Sequence, residues 1–266
     1  MKIVILIPVF NDFKSASKLI EEIDINISEL KVEFSVIVVN DASTEEKILE
    51  TKNLNNIKSL KLINMRKNKG HARCIATGLK HISENEDFDY VIPMDGDGED
   101  RPEEIRNFLE KIKDNPNKSI VGERVKRSEG LIFKICYFLH KIITYTFTGK
   151  FIKFGNFTCL TKETVNKLIE EKATWSSFSG SLAKNEIILI KSPSIRGQRY
   201  FGPSKMSFLN LIKHSLAIIA VFKTGVIFRS IAFYAIYLII IAEYISVITA
   251  IPLAVITLIY SAIIIK

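Results

Sequence analysis

The sequence is poor in the residues that build disulfide frameworks and metal clusters. Its 266 residues include only three cysteines, Cys74, Cys136 and Cys159, and four histidines. The cysteines have neither the paired spacing of a zinc site nor the density of a disulfide-rich secreted domain. We therefore expect a chain from a reducing compartment, held together by a hydrophobic core.

Charge is almost absent from the C-terminal tail, residues 230–266, where Glu243 and Lys266 are the only charged residues. About 20 consecutive apolar residues cross a bilayer as a helix. The tail therefore holds one full span and most of a second. We predict a transmembrane helical hairpin over 226–266, with a short second span and a turn between Glu243 and Pro252. The alternative is a buried helix pair of a soluble fold, but such helices usually show a polar face.

Basic residues flank this tail and predict its orientation. Lys223 and Arg229 precede it, and positive residues favour the cytoplasmic side of a membrane. We predict a multi-pass protein of the inner (cytoplasmic) membrane, with the rest of the chain on the cytoplasmic side. The N-terminal segment lacks the basic region and cleavage site of a signal peptide. Residues 207–225 are predicted to form an amphipathic helix at the membrane interface.

The formal net charge is +8. Such a charge attracts either nucleic acid or anionic lipid headgroups. The sequence contains no basic-aromatic module typical of nucleic-acid binding. We therefore expect the lipid bilayer, and no nucleic acid, among the partners. A homo-oligomer stays open at this stage.

Short runs rich in Ile and Val recur in the first half of the chain, at 2–10, 34–41, 59–65 and 90–97. Amphipathic stretches separate them, at 15–30 and 71–82. This alternation predicts an α/β domain, over residues 1–206, with helices on both faces of the sheet. Later elements are predicted less regularly, as strands at 119–125 and 185–195 and a helix at 130–147.

Polar residues follow three of these runs. Asn11 follows the first, Asp41 the second, and Asp95 with Asp97 the fourth. The carboxyl ends of parallel strands lie at one edge of a sheet, and ligands gather there. We expect these side chains to share a site.

The acidic stretch contains Asp95, Asp97, Glu99 and Asp100. Nearby carboxylates repel each other unless a cation lies between them or a proton is shared. Mg²⁺ and Mn²⁺ are bound by one or two carboxylates, with phosphate oxygens completing the shell. An ordinary solvated turn also produces an Asp-x-Asp pair, so the motif alone leaves both interpretations open.

Six motifs along the chain resemble those of the family 2 glycosyltransferases. The closest likeness is to the dolichol-phosphate mannose synthase type and the bacterial polyprenyl-phosphate glycosyltransferases. The resemblance implies a GT-A fold with a mixed sheet, and an inverting transfer from a nucleotide-diphosphate sugar. The motifs follow the family's order and are "IPVFN" (7–11), "VVNDAST" (38–44), "NKGHARCIATGL" (68–79), "MDGDGEDRPEEI" (94–105), "VGERVKR" (121–127) and "RYFGPSKMS" (199–207).

The resemblance implies roles for the residues at the strand ends. Pro8, Val9 and Asn11 would line the nucleotide pocket, and Asp41 would bind the base or ribose. For Asn11 and Asp41 the alternative is an ordinary turn or cap residue.

It also implies roles for the acidic residues. Asp95 and Asp97 would both be catalytic and metal-binding residues. Asp95 would face the nucleotide sugar, and Asp97 would hold Mg²⁺ or Mn²⁺ at the diphosphate. Glu99 stands where these synthases usually carry Gln, and would be a third metal ligand.

Basic residues form the second implied cluster. Arg124, as a catalytic residue, and Arg127, Arg199, Ser204 and Lys205, as substrate-binding residues, would contact the acceptor phosphate and the leaving diphosphate. The alternative is surface basicity scattered over a lysine-rich chain. His71 is predicted to be a surface or cap residue.

The acceptor is inferred from what the chain lacks. A sugar hydroxyl needs a general base, whereas a phosphate is already anionic. Residues 174–187 offer only Glu186 as a base, and the family's frequent "GDF" reads "GNF" here, with Asn156 at its centre. We predict transfer to a polyprenyl phosphate or another membrane lipid acceptor. Transfer to a hydroxyl of an envelope glycan or lipid-linked intermediate is the first alternative, and a silent nucleotide-sugar-binding protein is the second.

Overall fold

The computed structural model describes the whole chain except residues 46–48, 52, 127–140, 186–187, 203–207 and 265–266. The chain divides into two compact units. The first unit carries the β-sheet, and the second carries the apolar C-terminal helices. The first consists of Met1–Ser128 and Lys153–Lys205, and the second of Glu129–Ile152 and Met206–Lys266.

The described part of the first unit contains one seven-stranded sheet. Its strand order is β3-β2-β1-β4-β6-β5-β7. The strands are β1 (Lys2–Val9), β2 (Glu33–Asn40), β3 (Ile57–Asn64), β4 (Tyr90–Pro93), β5 (Ser119–Lys126), β6 (Phe154–Thr161) and β7 (Leu189–Ile195).

The sheet is mixed, as the resemblance to family 2 glycosyltransferases implied. Strands β3, β2, β1 and β4 are parallel neighbours, and β7 is parallel to β5. Strand β6 runs antiparallel to both β4 and β5. The sequence analysis missed β6 because its sequence, "FGNFTCLT", mixes glycine and polar residues with apolar ones and has no continuous β-branched run.

Helices cover both faces of the sheet, again as predicted. Along β1, Ile3, Ile5 and Ile7 belong to one buried cluster, and Val4 and Leu6 to the other. Burial on both faces explains why β1 is a continuous apolar run.

The helices of this unit are α1 (Phe13–Asn26), α2 (His71–Asn85), α3 (Ile105–Asp114), α4 (Lys162–Glu170) and α5 (Phe178–Lys184). The first cluster contains side chains of α1 and α3, and the second contains side chains of α2, α4 and α5.

The parallel register brings three strand ends together. Val9 is paired with Asn40, and Leu6 with Pro93. The residues that follow these strands, including Asp41 and Asp95, therefore lie along one edge of the sheet. The polar residues that follow β1, β2 and β4 therefore meet at this edge.

The second unit consists of α6 (Phe208–Val221), α7 (Lys223–Ile241), α8 (Val247–Ile264) and a helical stretch over residues 141–148. Phe147 packs in one cluster with Ile219 and Val226. The predicted helix at 130–147 lies partly outside the described residues, which begin again at 141.

Helices α7 and α8 are joined by hydrogen bonds. The Tyr234 hydroxyl donates to the Leu253 carbonyl at 2.7 Å, and the Tyr237 hydroxyl donates to the Thr249 carbonyl at 2.8 Å. By length and composition, one helix of the described chain, α7, is able to cross a membrane, and the described apolar stretch of α8 is shorter. The membrane hairpin and multi-pass topology therefore stay predictions.

Asp24 offers a test of how the loop before β3 is held. Its buried carboxylate accepts backbone N–H groups of Asn55 (3.1 Å), Asn56 (2.8 Å) and Ile57 (2.8 Å). Burial opposes ionisation, but these hydrogen bonds lower the pKa of Asp24. Asp24→Ala leaves the three donors without their acceptor, so we expect a loss of about 1–3 kcal/mol in unfolding free energy.

Thermal unfolding of the full chain in detergent measures this loss. Since the folded-state pKa is lowered, the contribution is present above the unfolded value of about 3.9 and is lost as the pH falls through the folded-state pKa. The exposed Asp114→Ala variant is the control, expected within about 0.5 kcal/mol of wild type. Equal melting temperatures for the two variants would contradict this role of Asp24.

Candidate functional site

The acidic residues form a turn after β4, called here the acidic turn (residues 95–100). Two residues that are two positions apart, such as Asp95 and Asp97, would point to the same side of an extended backbone. Instead the chain turns at Gly96 and Asp97, and Gly98 has a φ of +89°. A turn brings the two carboxylates within electrostatic reach by folding the backbone, so each affects the ionisation of the other.

Asp95 is held by side chains from two other elements. Its Oδ1 accepts a hydrogen bond from Asn156 Nδ2 at 3.0 Å and lies 3.2 Å from His71 Nε2. Its backbone N–H donates to Asp100 Oδ2 at 2.9 Å. Burial alone would raise the pKa of Asp95, but His71, the Asn156 amide and the charge of Arg124 lower it. Asp95 is therefore an anion at neutral pH.

Its two acidic neighbours behave in the opposite way. Burial, together with the negative charge of Asp95, raises the pKa of Asp97 to about 6, although Arg199 and Arg196 lower it. The same two causes, burial and the charge of Asp95, raise the pKa of Asp100 well above its usual range. The arginines near the acidic turn therefore offset only part of the unfavourable effect that burial and the charge of Asp95 have on the ionised forms of Asp97 and Asp100.

A segment after β7, residues 196–201, lies against the acidic turn and is called here the arginine arm. Its backbone is bonded to the turn, because Gly197 N donates to the Glu99 carbonyl at 2.8 Å and Tyr200 N donates to the Asp97 carbonyl at 3.0 Å. Arg196 pairs with the Glu99 carboxylate. The arm is thus docked on the turn through main chain and charge together.

Arg199 joins two carboxylates. Its Nη1 contacts Asp97 Oδ2, and its Nη2 donates to Asp12 Oδ2 at 3.0 Å. Its Nε is buried and has no hydrogen-bond acceptor among the described residues. A guanidinium has five N–H donors, and the contacts with Asp97 and Asp12 engage two of them, so Arg199 retains donors for a further acceptor.

Tyr200 fixes the arm from the other side. Its ring lies against Gly98, where an added Cβ would be 2.5 Å from Tyr200 Cε2. Its hydroxyl pairs with Glu22, and Lys18 Nζ lies 4.5 Å from the ring centroid. The absence of a side chain at Gly98 therefore allows the arm to approach the turn.

The predicted nucleotide-pocket residues lie beside the turn. A Cβ on Gly96 would be 3.3 Å from the Pro8 carbonyl and 3.5 Å from Val9 Cγ2. Asn11 has a φ of +51°, and its Oδ1 accepts the Thr44 N–H at 2.8 Å. The loops after β1 and β2 are thereby tied together.

Asp41 is buried, and both its carboxylate oxygens accept backbone donors. Oδ1 accepts Lys69 N at 2.7 Å, and Oδ2 accepts Gly70 N at 2.8 Å, just before α2. The two bonds hold the loop before α2, which is a structural role of the kind that the sequence analysis gave as the alternative for Asp41. Its contact with a nucleotide stays a prediction.

Arg124 reaches this edge from β5. A Cβ on Gly155 would be 2.8 Å from Arg124 Nη2, so the guanidinium lies directly on the backbone of β6. Its charge favours the ionised forms of Asp95 and Asp100. Of the other predicted basic residues, Arg127, Ser204 and Lys205 lie outside the described residues, as does Glu186.

Several site residues had no assigned role in the sequence analysis. His71 is exposed, as predicted, and is the first residue of α2, whose N-cap is Gly70, but its contact with Asp95 was not foreseen. Asp12, Asp100 and Arg196 were also missed as site residues. The sequence offers one weak indication that these three belong to the site, because each lies within three residues of a predicted site residue.

The structure allows a test of the metal prediction. In the described part of the chain, no three His, Cys, Asp or Glu side chains are grouped so as to hold an ion. Asp95 and Asp97 are a partly buried, mutually destabilising pair, which a cation would stabilise. Mg²⁺ and Mn²⁺ bound with phosphate need only one or two carboxylates, so this pair fits. Glu99 is paired with Arg196, and its role as a third ligand stays a prediction.

Comparisons with known proteins place this geometry in context. A curated relative, undecaprenyl-phosphate 4-deoxy-4-formamido-L-arabinose transferase of Klebsiella pneumoniae (strain 342), is 23% identical over 222 residues, which are 79% of this chain and 64% of the relative. The chain thus spans somewhat less than two thirds of the length of that relative.

Solved structures share the fold. Glucosyl-3-phosphoglycerate synthase from Mycobacterium tuberculosis, solved with Mn²⁺, UDP-glucose and phosphoglyceric acid, has a TM-score of 0.57 at 12% identity, covering 85% of this chain and 79% of its own. TarS 1–349 of S. aureus, solved with UDP-GlcNAc, has a TM-score of 0.53 at 17% identity, covering 86% of this chain and 70% of its own.

A family model supplies the assignment. The model described as "Glycosyl transferase family 2" matches residues 4–167, which is more than half of the chain and includes β1 to β6 with the acidic turn. The chain therefore belongs to glycosyl transferase family 2.

Proposed function

We propose that this protein is a membrane-bound, metal-dependent, inverting glycosyltransferase that moves a sugar from a nucleotide-diphosphate donor to a polyprenyl phosphate. The observation that carries the proposal is the meeting of Asp95, Asp97 and Arg199 at one edge of the sheet. The carboxylates are suited to bind a cation, and the guanidinium is suited to bind the diphosphate that the cation would contact.

The donor is proposed to bind along the ends of β1 and β2. Pro8, Val9 and Asn11 would contact the nucleotide, and Asp41, rigidly held by two N–H groups, would accept from the base or ribose. A carboxylate oxygen has more than one lone pair, so the backbone bonds leave capacity for a ligand. The two backbone hydrogen bonds fix the Asp41 side chain before a ligand binds.

The diphosphate is proposed to lie between the acidic turn and the arginine arm. Asp95 and Asp97 would hold Mg²⁺ or Mn²⁺ there, and the ion supplies Lewis-acid stabilisation of charge on the leaving group. Arg199 would bind phosphate through the N–H donors that its contacts with Asp12 and Asp97 leave unused. Glu99 holds Arg196 next to it, so the arm remains docked.

Phosphate is the acceptor that the described residues favour. Asp12 and Glu99 each face an arginine, and a carboxylate paired with a guanidinium is a poor proton acceptor, whereas Asp97 is proposed to hold the metal. A phosphate monoester needs no base. Arg124, and Arg127 with Ser204 and Lys205, are the proposed phosphate contacts. The name of the Klebsiella relative, which specifies undecaprenyl phosphate, supports the same acceptor class.

Membrane attachment is proposed for the second unit. Helix α7 has the length and composition of a span, and we propose that α8 completes a hairpin over 226–266. In the same unit, Ile142, Ile143, Tyr145 and Phe151 are exposed apolar residues. Exposed apolar residues within a lysine-bearing segment suit the headgroup boundary, as proposed also for residues 207–225. The catalytic domain, 1–206, would face the cytoplasm.

A hydroxyl acceptor is the second candidate. One observation favours it, because His71 is exposed, lies beside Asp95, and is the side chain most often used as a general base. The two candidates differ in their product. Only transfer to phosphate forms an acid-labile glycosyl phosphodiester.

The test incubates the full chain in detergent with UDP- and GDP-sugars, Mn²⁺ or Mg²⁺, and a polyprenyl phosphate. We expect metal-dependent release of nucleoside diphosphate and an acid-labile lipid product. An acid-stable glycoside would support the hydroxyl acceptor instead. No release with any donor sugar would refute the enzyme and leave the silent binding protein.

Metal use is predicted to depend on pH through Asp97. Because its pKa is raised to about 6, protons compete with the cation below that value. We expect the apparent Mn²⁺ affinity to be level above pH 7 and to fall up to about tenfold per unit below pH 6. Asp97→Asn should lower turnover about 100-fold or more. Mn²⁺ titrations at several pH values, followed by activity, would contradict this role if wild type showed no such fall.

The docking of the arginine arm is tested by Gly98→Ala. The added Cβ meets the Tyr200 ring at 2.5 Å, and a φ of +89° is unfavourable for alanine. The arm, and with it Arg199, should move off the turn, lowering kcat/KM for the donor about tenfold or more. Gly202→Ala also has positive φ (+67°), but its Cβ has no heavy atom within 4 Å. It is the matched control, and equal losses in both variants would argue against arm docking.

A further inference from the structure

The side chain that contacts Asp95 most closely lies on β6, the one strand antiparallel to β4. Asn156 Nδ2 donates to Asp95 Oδ1 at 3.0 Å. The register pairs Tyr90 with Thr161 and Val91 with Leu160. Continued past the end of β4, the same antiparallel pairing places residue 156 opposite residue 95. The contact is therefore dictated by the pairing of two strands.

The chemistry of the amide suits this place. An Asn amide nitrogen carries two protons, and Asn156 Nδ2 lies 3.0 Å from Asp95 Oδ1 and 2.7 Å from His71 Nε2. One proton is donated to the carboxylate. The other is donated to His71 Nε2 in the tautomer that leaves this nitrogen without a proton.

The alternative side chain at this position would act differently. Aspartate has nearly the same shape as asparagine but no N–H, and its carboxylate would face Asp95 Oδ1 acceptor to acceptor. Like charges at such a distance cannot both remain ionised without a cation or a shared proton. The uncharged amide at residue 156 therefore leaves Asp95 as the single negative charge at that point.

The surroundings hold Asn156 in place. Its neighbour Gly155 lies against the guanidinium of Arg124, and the Asn156 carbonyl accepts the Thr158 hydroxyl at 3.1 Å. Asn156 is on a paired strand rather than a free loop, and a strand carries a site residue with less freedom to move. The pairing of β4 with β6 therefore positions both the Asn156 amide and the Asp95 carboxylate that it contacts.

We infer that Asn156 is a positioning residue for Asp95. The Asn156 amide orients one oxygen of the Asp95 carboxylate, so that this carboxylate is in place to bind the metal of the donor complex. This inference deepens the proposed function and rests on it. Residues that orient a metal-binding carboxylate typically contribute 10–100-fold to metal affinity or activity.

The test compares N156A and N156D with the exposed N107A control, all as full-length chains in detergent. Mn²⁺ affinity in the presence of UDP or GDP is measured by electron paramagnetic resonance, and donor turnover and melting temperature are measured separately. We expect N156A and N156D to bind Mn²⁺ about 10-fold or more weakly and to lose about as much in kcat. N107A should match wild type.

The isosteric variant separates positioning from packing. A packing role tolerates N156D, because the shape is kept, whereas a hydrogen-bond donor role does not. Wild-type Mn²⁺ affinity and turnover in N156D, or tighter Mn²⁺ binding, would overturn the inference. If wild type binds Mn²⁺ with nucleotide but transfers no sugar, the proposed function fails while the affinity comparison still decides the role of Asn156. If wild type binds no Mn²⁺, both fail.

Discussion

The site depends on how carboxylates that repel each other are kept together at the end of β4. Within one short turn Asp100 is buried and Asp95 and Asp97 are partly buried, and each raises the energy of ionising its neighbours. The fold balances this repulsion from two sides. The arginine arm brings guanidinium groups to Asp97 and Glu99, and β6 brings an amide to Asp95.

This balance divides the acidic turn into two halves with different chemistry. Asp97 and Glu99 face arginines, which also bind phosphate, so the same contacts suit a diphosphate. Asp95 faces Asn156, with His71 next to it, and these are hydrogen-bonding groups of low or variable charge. A donor bound across the turn would have its phosphates at one half and its sugar nearer the other.

The mixed sheet is what brings both halves to one edge. Parallel strands β1, β2 and β4 end together, which gathers Asn11, Asp41 and the acidic turn. The antiparallel strand β6 then enters from the opposite direction, so a residue near its start, Asn156, lies level with a residue beyond the end of β4. A wholly parallel sheet would place Asn156 at the other end.

Much of this was determined by the sequence itself. Continuous β-branched runs predicted β1, β2 and β4, because strands buried on both faces need apolar side chains in every position. The polar residues after those runs predicted the edge at which Asp41 and Asp95 lie. Tertiary structure decided the rest. The partners of Asp95, His71 and Asn156, are distant in sequence from it and from each other, and strand β6, which orders one of them, has no apolar periodicity. Pairing register and charge neutralisation across the fold, which no local pattern encodes, determine those contacts.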